Sequence, residues 1–155
     1  MNACPPDAEC IAHTLMIARS LKHWTGRELA AARLSPKELA EEVFRAPYVL
    51  VSHGMEADPL LNYGNAAALA LWEMTWDMLT QTPSRLTAEA PNREERARLL
   101  AAVTSRGFID DYTGIRISKS GRRFRIRQAT VWNLLGPKGE PQGQAARFEQ
   151  WEFLP

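Results

Sequence analysis

The sequence predicts an α+β domain in which helices come first and an antiparallel sheet follows. Two observations lead to this class. Before Gly107 apolar residues recur at helical spacing behind capping signals, and after Gly107 they alternate at a period of two. A chain of 155 residues fits one domain with some additional structure. No apolar run approaches the roughly 20 residues that span a bilayer, so we expect no membrane association.

The N-terminal segment predicts a separate amphipathic helix. From Asp7 to about Arg33, apolar residues such as Leu15 and Leu21 recur close to the helical period, with Gly26 as a break. A lone helix of this kind is marginal in water and must bury its apolar stripe against a sheet or a second subunit. We therefore divide the chain into an N-terminal helical leader, residues 1–33, and a domain, residues 34–155. We expect a homodimer to which the leader contributes.

Local signals mark the remaining helices. The segment Ser35–Glu38 has the form of a capping box with proline at the first helical position. Asn65 and Thr75 can each cap a short helix. A longer helix begins near Pro91 and ends at Gly107.

The strands are predicted from segments in which apolar and polar residues alternate. Residues 48–52 form a short β-prone segment, and residues 108–118, 122–134 and 142–153 read as an antiparallel meander. Strict alternation gives the second of these an inner face and an outer face. The inner face would hold Phe124, Ile126, Gln128, Thr130 and Trp132, and the outer face Arg123, Arg125, Arg127, Ala129 and Val131.

The segment Ser52–Trp72 has polar residues where ordinary secondary structure does not require them. A strand ending near His53, a turn, and the opening of an alanine-rich helix would bring His53, Asn62, Tyr63 and Trp72 near one another. Together with polar and aromatic residues elsewhere they suit a pocket for an uncharged or mildly polar small molecule. The candidate ligand-binding residues are His53, Asn62, Tyr63, Trp72, Ser84, Arg85, Tyr112, Gln128 and Trp132.

Each candidate also fits a purely structural role. Trp72 and Trp132 can fill the core, and Asn62 can serve a turn. Arg85 can pair with a nearby aspartate of the first meander strand. The alternative to a pocket is thus an interior filled by the protein's own side chains.

Catalysis and metal binding are not expected. Ser52 and His53 are adjacent in a strand, so their side chains point to opposite faces and cannot act as a catalytic pair. Near Glu56 and Asp58 the sequence offers only one histidine, which is too few for a typical two-histidine metal site. We predict no catalytic residue, no metal site and no enzyme activity.

The net charge of the chain indicates which partners to expect, and the N-terminal sequence indicates the location. A net charge of +1 argues against a protein built to neutralise nucleic acid, although basic residues predominate over residues 91–127. The N-terminus lacks the basic start and apolar core of a secretion signal, which predicts a cytoplasmic location.

Four segments carry a family resemblance: SHGMEADPLLNYGNAAALALWEM, PSRLTAE, REERARLL and GFIDDYTGIRISKSGRRFRI. They resemble the MEKHLA family, a PAS-like group found in bacterial proteins and at the C-terminus of plant class III homeodomain-leucine zipper factors. The resemblance runs from about Leu34 to Trp151. It implies a PAS-like fold, with a five-stranded antiparallel sheet and helices on one face, and a sensory or interaction role.

The resemblance implies no particular cofactor, which therefore stays unknown. PAS-fold flavin photosensors use a cysteine near the head of the long helix, and residues 92–96 contain none. Two functions remain. The first is a PAS-like sensory or regulatory module that binds a small molecule and signals through protein contacts, with a separate output protein as partner. The second is a structural protein-interaction domain without a ligand.

Overall fold

A computed structural model describes residues 7–31 and 33–155. Within them the chain forms helices α1 Ala8–Thr25, α2 Pro36–Arg45, α3 Ala66–Trp72, α4 Trp76–Leu79 and α5 Ala90–Arg106, a 3₁₀ turn Ser84–Thr87, and strands β1 Val49–His53, β2 Leu61–Gly64, β3 Phe108–Ile117, β4 Arg123–Leu135, β5 Pro141–Phe148 and β6 Gln150–Phe153. The strands form one antiparallel sheet in the order β2-β1-β5-β4-β3, and β6 pairs with β4. No helix in the described ranges is long and apolar enough to cross a membrane.

The predicted helix signals are confirmed. Ser35 and Glu38 form both halves of the capping box at the start of α2. Asn65 and Thr75 cap α3 and α4 through their side chains. Gly26 ends α1 in the left-handed conformation, with φ of 75°, so the helix stops well before residue 33.

The strand boundaries differ from the alternation pattern at two places. Asn62, Tyr63 and Gly64, expected at the opening of the alanine-rich helix, instead lie in β2, which pairs with β1. The predicted last strand is two strands, because β5 lies between β1 and β4 whereas β6 pairs with the first half of β4. These pairings give the core sheet five strands and add a short sixth.

The predicted faces of β4 are wrong beyond Gln128. Gln128 has a φ of 52°, and the pairing of β3 with β4 shifts register opposite it. This irregularity reverses the alternation. Ala129 therefore joins Phe124 on one face, whereas Trp132 lies on the other face. Gln128 itself is exposed and accepts a hydrogen bond from Gln150.

Helices cover both faces of the sheet. On one face, α1 contributes Ile17 and Leu21 to a cluster with Trp132 and Tyr63. On the other face, α3 packs Trp72 against β4 and β5, and α5 lies across β3 and β4. The leader helix thus shares its core with the sheet of its own chain. The face under α3 and α5 is where the cavity lies.

Candidate ligand-binding site

A cavity of about 60 Å³ lies between the sheet and the helices α3 and α5. One water needs about 10–15 Å³, so the space admits a few waters or a molecule of about five non-hydrogen atoms. Its apolar lining comprises Val51, Leu61, Trp72, Leu99, Leu100, Ile126, Ala129, Val131, Ala145, Ala146 and Phe148, and its polar lining Ser52, His53, Thr87, Arg96, Tyr112, Arg116 and Gln144.

Two of the polar lining residues are arginines. Arg116 on β3 is 7% exposed, and Arg96 on α5 is partly buried. No carboxylate of the described residues lies within ion-pairing distance of either guanidinium. Desolvation first, and repulsion by Arg116 second, lower the pKa of Arg96 to about 10, so it stays protonated at neutral pH. The cavity wall therefore carries two positive charges that no carboxylate of the described residues pairs with directly; the Glu95 carboxylate reaches Arg116 only through the Tyr112 hydroxyl.

Neutral groups orient both arginines. Arg96 donates to the Ser84 hydroxyl at 2.9 Å. Arg116 donates to its neighbouring carbonyl of Ile115 at 2.8 Å and to the Tyr112 hydroxyl at 3.1 Å. The same hydroxyl donates to Glu95 at 2.7 Å. Hydroxyl and carbonyl partners orient a guanidinium but leave its charge uncompensated.

A glycine makes the tyrosine contact feasible. A Cβ atom on Gly114 would overlap the Tyr112 hydroxyl group. The ring therefore depends on the missing side chain to lie along β3 and reach Arg116. Burial raises the pKa of Tyr112, so its hydroxyl remains a proton donor at neutral pH.

Two buried polar atoms in the cavity wall have no hydrogen-bond partner among the described residues. They are Nε2 of His53 and Nε1 of Trp72. Trp72 is 3% exposed, and its ring packs edge-on against Phe124 and Phe148. Buried polar atoms are normally paired, so these two atoms are where water or a polar ligand in the cavity would bind.

The proton positions on His53 follow from its neighbours. Its Nδ1 lies 3.1 Å from the Gly54 carbonyl, which accepts only if Nδ1 carries the proton. Burial lowers the pKa of His53, which leaves the ring neutral and Nε2 an acceptor. Gln144 lies beside it, but its amide N–H groups are shared among Leu100, Thr104 and Asn133. The Gln144 side chain counters the effect of burial by raising the pKa of His53, yet no group of the described residues meets Nε2 with hydrogen-bond geometry.

Three predicted site residues line the cavity, and a fourth touches its wall. His53, Trp72 and Tyr112 lie in the lining. Ser84 is 2% exposed and contacts Arg96, so it supports the wall.

The other five predicted site residues lie elsewhere. Tyr63 and Trp132 lie on the α1 face of the sheet, where the Trp132 ring nitrogen donates to the carbonyl of Ile17 at 3.2 Å. Asn62 accepts from Ser52 at 2.6 Å. Arg85 is half-exposed and pairs with Asp58 at 3.2 Å, not with the aspartates of β3. Gln128 projects to solvent at the register shift.

Sequence reasoning missed the charged part of the lining. Arg96 and Arg116 read as ordinary solvated charges, because nothing in their local pattern places them under a sheet. The small molecule was expected to be uncharged or mildly polar, whereas the cavity lining includes two arginines. One signal was present for Arg116, which shares its side of β3 with Gly114 at a spacing of two.

The arginines of β4 do not join this site. Arg125 and Arg127 both pair with Glu152 of β6, and Arg123 donates to the carbonyl of Pro155 at 3.2 Å. Their charges are therefore partly neutralised within the chain, on the surface that carries β6.

The fold has counterparts among solved structures. A PAS domain from Colwellia psychrerythraea aligns with a TM-score of 0.63 at 13% identity, over 76% of this chain and 95% of that one. A light-oxygen-voltage domain aligns with a TM-score of 0.59 at 13% identity, over 76% of this chain and 84% of that one. A light-oxygen-voltage protein from Rhodobacter sphaeroides gives 0.55 at 14% identity, over 71% and 61%. These likenesses establish a PAS-like fold.

At the level of sequence, no curated protein matches the chain. The model of the MEKHLA domain matches residues 11–153, a range that includes most of α1 and all elements of the sheet. The chain therefore belongs to the MEKHLA domain family.

Proposed function

We propose that this protein is a PAS-like sensory module that binds a small carboxylate-bearing molecule in the cavity beneath α5. The observation that carries the proposal is the convergence of Arg96 and Arg116 on one cavity without a carboxylate partner. Buried charges are normally paired, and an unpaired one costs several kcal/mol. A bound carboxylate would supply the missing charge, and a guanidinium binds it through parallel hydrogen bonds.

The volume of the cavity limits the ligand. About five non-hydrogen atoms at the upper bound of roughly 1.5 kcal/mol each give about 7.5 kcal/mol, a dissociation constant of a few micromolar at best. Such a ligand would dissociate during purification. Titrations should therefore cover micromolar to millimolar concentrations.

Thermal unfolding with formate, acetate and propionate at constant ionic strength tests the proposal. At 100 times the dissociation constant the ligand stabilises by about 2.7 kcal/mol, which raises Tm by roughly 5–10 °C in a domain of this size. Arg96→Gln should abolish the rise. Arg98→Gln is the matched control, because Arg98 is exposed on the same helix and pairs with Glu94. No rise with any acid, or an equal rise in both variants, would overturn the proposal.

A second function is favoured by the small size of the cavity. Ligand pockets usually enclose about 300–1,000 Å³, well above the 60 Å³ here. A structural protein-interaction domain with water in the cavity needs no more room than this. Unchanged stability across the whole acid panel would favour that alternative.

Binding would be reported by contacts with other proteins. His53 in the cavity wall is adjacent to Ser52, whose hydroxyl lies 2.9 Å from His13 on α1. A change at β1 therefore has a direct route to the leader helix and to a partner beyond it, whether a second copy or a separate output protein. No enzyme activity is proposed, and a cytoplasmic location stays a prediction.

A further inference from the structure

We infer that the ligand of the cavity is a short hydroxy acid, with its carboxylate on Arg96 and Arg116 and its hydroxyl donating to Nε2 of His53. This inference rests on the proposed function. It adds that the site distinguishes acids that carry a hydroxyl group from those that do not.

The unsatisfied groups of the cavity wall differ in whether they donate or accept a hydrogen bond. Trp72 Nε1 carries a hydrogen and can only donate, as can the two guanidinium groups. These three groups suit the acceptor oxygens of one carboxylate. Trp72 is almost fully buried in an apolar environment with Phe124 and Phe148, so water from outside does not reach its N–H freely.

His53 requires the opposite partner. With the Nδ1 proton directed at the Gly54 carbonyl, Nε2 presents a lone pair. A carboxylate placed against that lone pair would be repelled, since both atoms are acceptors. A hydroxyl group on the same small molecule provides the proton that Nε2 lacks.

The size of the cavity then selects the class of molecule. One carboxylate and one hydroxyl on one or two carbons amount to about five or six non-hydrogen atoms, which agrees with the space available. The apolar lining by Val51, Ile126 and Phe148 leaves no polar partner for a third functional group on that side. A dicarboxylate of similar size carries no hydroxyl proton, so it would leave Nε2 of His53 without a donor.

Isothermal titration with paired acids tests this inference. Glycolate is compared with acetate, and lactate and 3-hydroxypropionate with propionate. In the wild-type protein at least one hydroxy acid should bind about tenfold more tightly than its partner, the effect of one well-formed hydrogen bond. His53→Phe should remove this advantage while leaving the affinity for the plain acid within about threefold.

The outcomes separate the two proposals. If plain and hydroxy acids bind equally to wild type, the hydroxy-acid inference is wrong and the carboxylate site stands. If no acid of either kind binds, the proposed function itself fails. If His53→Phe does not fold, His53→Gln serves instead, and an advantage that persists at full size in the variant that folds removes His53 from the site.

Discussion

Nε2 of His13 lies 2.9 Å from the hydroxyl of Ser52, so a side chain of the N-terminal helix bonds to the strand that forms one wall of the cavity. The Ser52 hydroxyl donates onward to Asn62 at 2.6 Å. Since its one proton is used there, Ser52 accepts from His13, which must carry its proton on Nε2. This direction is the reverse of what a serine nucleophile needs, where the imidazole takes the serine proton.

We predict that the protein loses stability as pH falls below about 6.5. Burial lowers the pKa of both His13 and His53 relative to the unfolded chain. The unfolded state therefore binds more protons between the lowered value and about 6.5, and stability increases with pH in that window. The stabilisation is fully present above pH 6.5 and is lost as pH falls through the folded pKa. Urea unfolding from pH 5 to 8 measures it.

A histidine on the same helix is the control for that measurement. His13→Gln should reduce the pH dependence to the part that His53 supplies, whereas His23→Gln, at an exposed position of the same helix, should leave it unchanged. An equal pH dependence in wild type and His13→Gln would mean that the buried ring of His13 is not the source.

The second prediction concerns the two buried tryptophans. Trp72→Ala and Trp132→Ala should each cost about 3–5 kcal/mol, the usual effect of emptying a buried aromatic site. Substitution by phenylalanine distinguishes the two tryptophan sites. Trp132→Phe also loses the hydrogen bond to Ile17 and should cost about 1 kcal/mol more than Trp72→Phe, where no bond exists. Chemical denaturation gives all four values. Equal costs for the two phenylalanine variants would contradict the assignment of the unpaired N–H to Trp72.

The third prediction tests the reversal of faces in β4. A non-glycine residue in the left-handed region costs roughly 1–2 kcal/mol. Gln128→Gly should therefore stabilise slightly, by up to about 1 kcal/mol, and Gln128→Val should destabilise by more than that amount. At the neighbouring Arg127, which is exposed in regular strand geometry, the order should be reversed. Arg127→Gly should destabilise the protein more than Arg127→Val. If the glycine and valine variants have the same order of stability at both positions, Gln128 does not adopt the positive φ that reverses the faces of β4.

Sequence could predict what depends on neighbours along the chain. The caps at Ser35, Asn65 and Thr75 depend on residues three positions away, and each formed as expected. The reversal at Gln128 could not be predicted, because glutamine has no preference for a positive φ and the shift depends on pairing with β3.

The candidate site shows the same contrast between features set by residues nearby in the chain and features set by tertiary packing. The sequence located part of the cavity wall, through the unusual polar run that contains His53 and Trp72. It did not reveal the charge of the cavity. Whether an arginine is solvated or buried depends on which element lies over it, and Arg96 and Arg116 meet only after α5 is placed on the sheet.

The last prediction concerns assembly. A homodimer was expected because the leader must bury its apolar stripe, but α1 buries Ile17 and Leu21 within its own chain. A dimer that forms through the leader would therefore use the outward side of α1, where Ala12 and Arg19 are exposed beside an apolar groove that includes Pro137.

Deleting residues 1–33 cannot test this, because it would uncover Trp132 and confound assembly with folding. A point variant on the exposed side of α1 can test it. Light scattering at tens of micromolar should give a dimer for the full chain and a monomer for Ala12→Arg. Since position 12 is exposed, the variant should still unfold cooperatively and should lose only the stability that the dimer contact supplies. Arg98→Glu on the distant surface of α5 should remain dimeric. If the unmodified chain is a monomer at these concentrations, or if Ala12→Arg stays dimeric, the leader acts only within its own subunit. A signal from the cavity would then leave the protein by another surface.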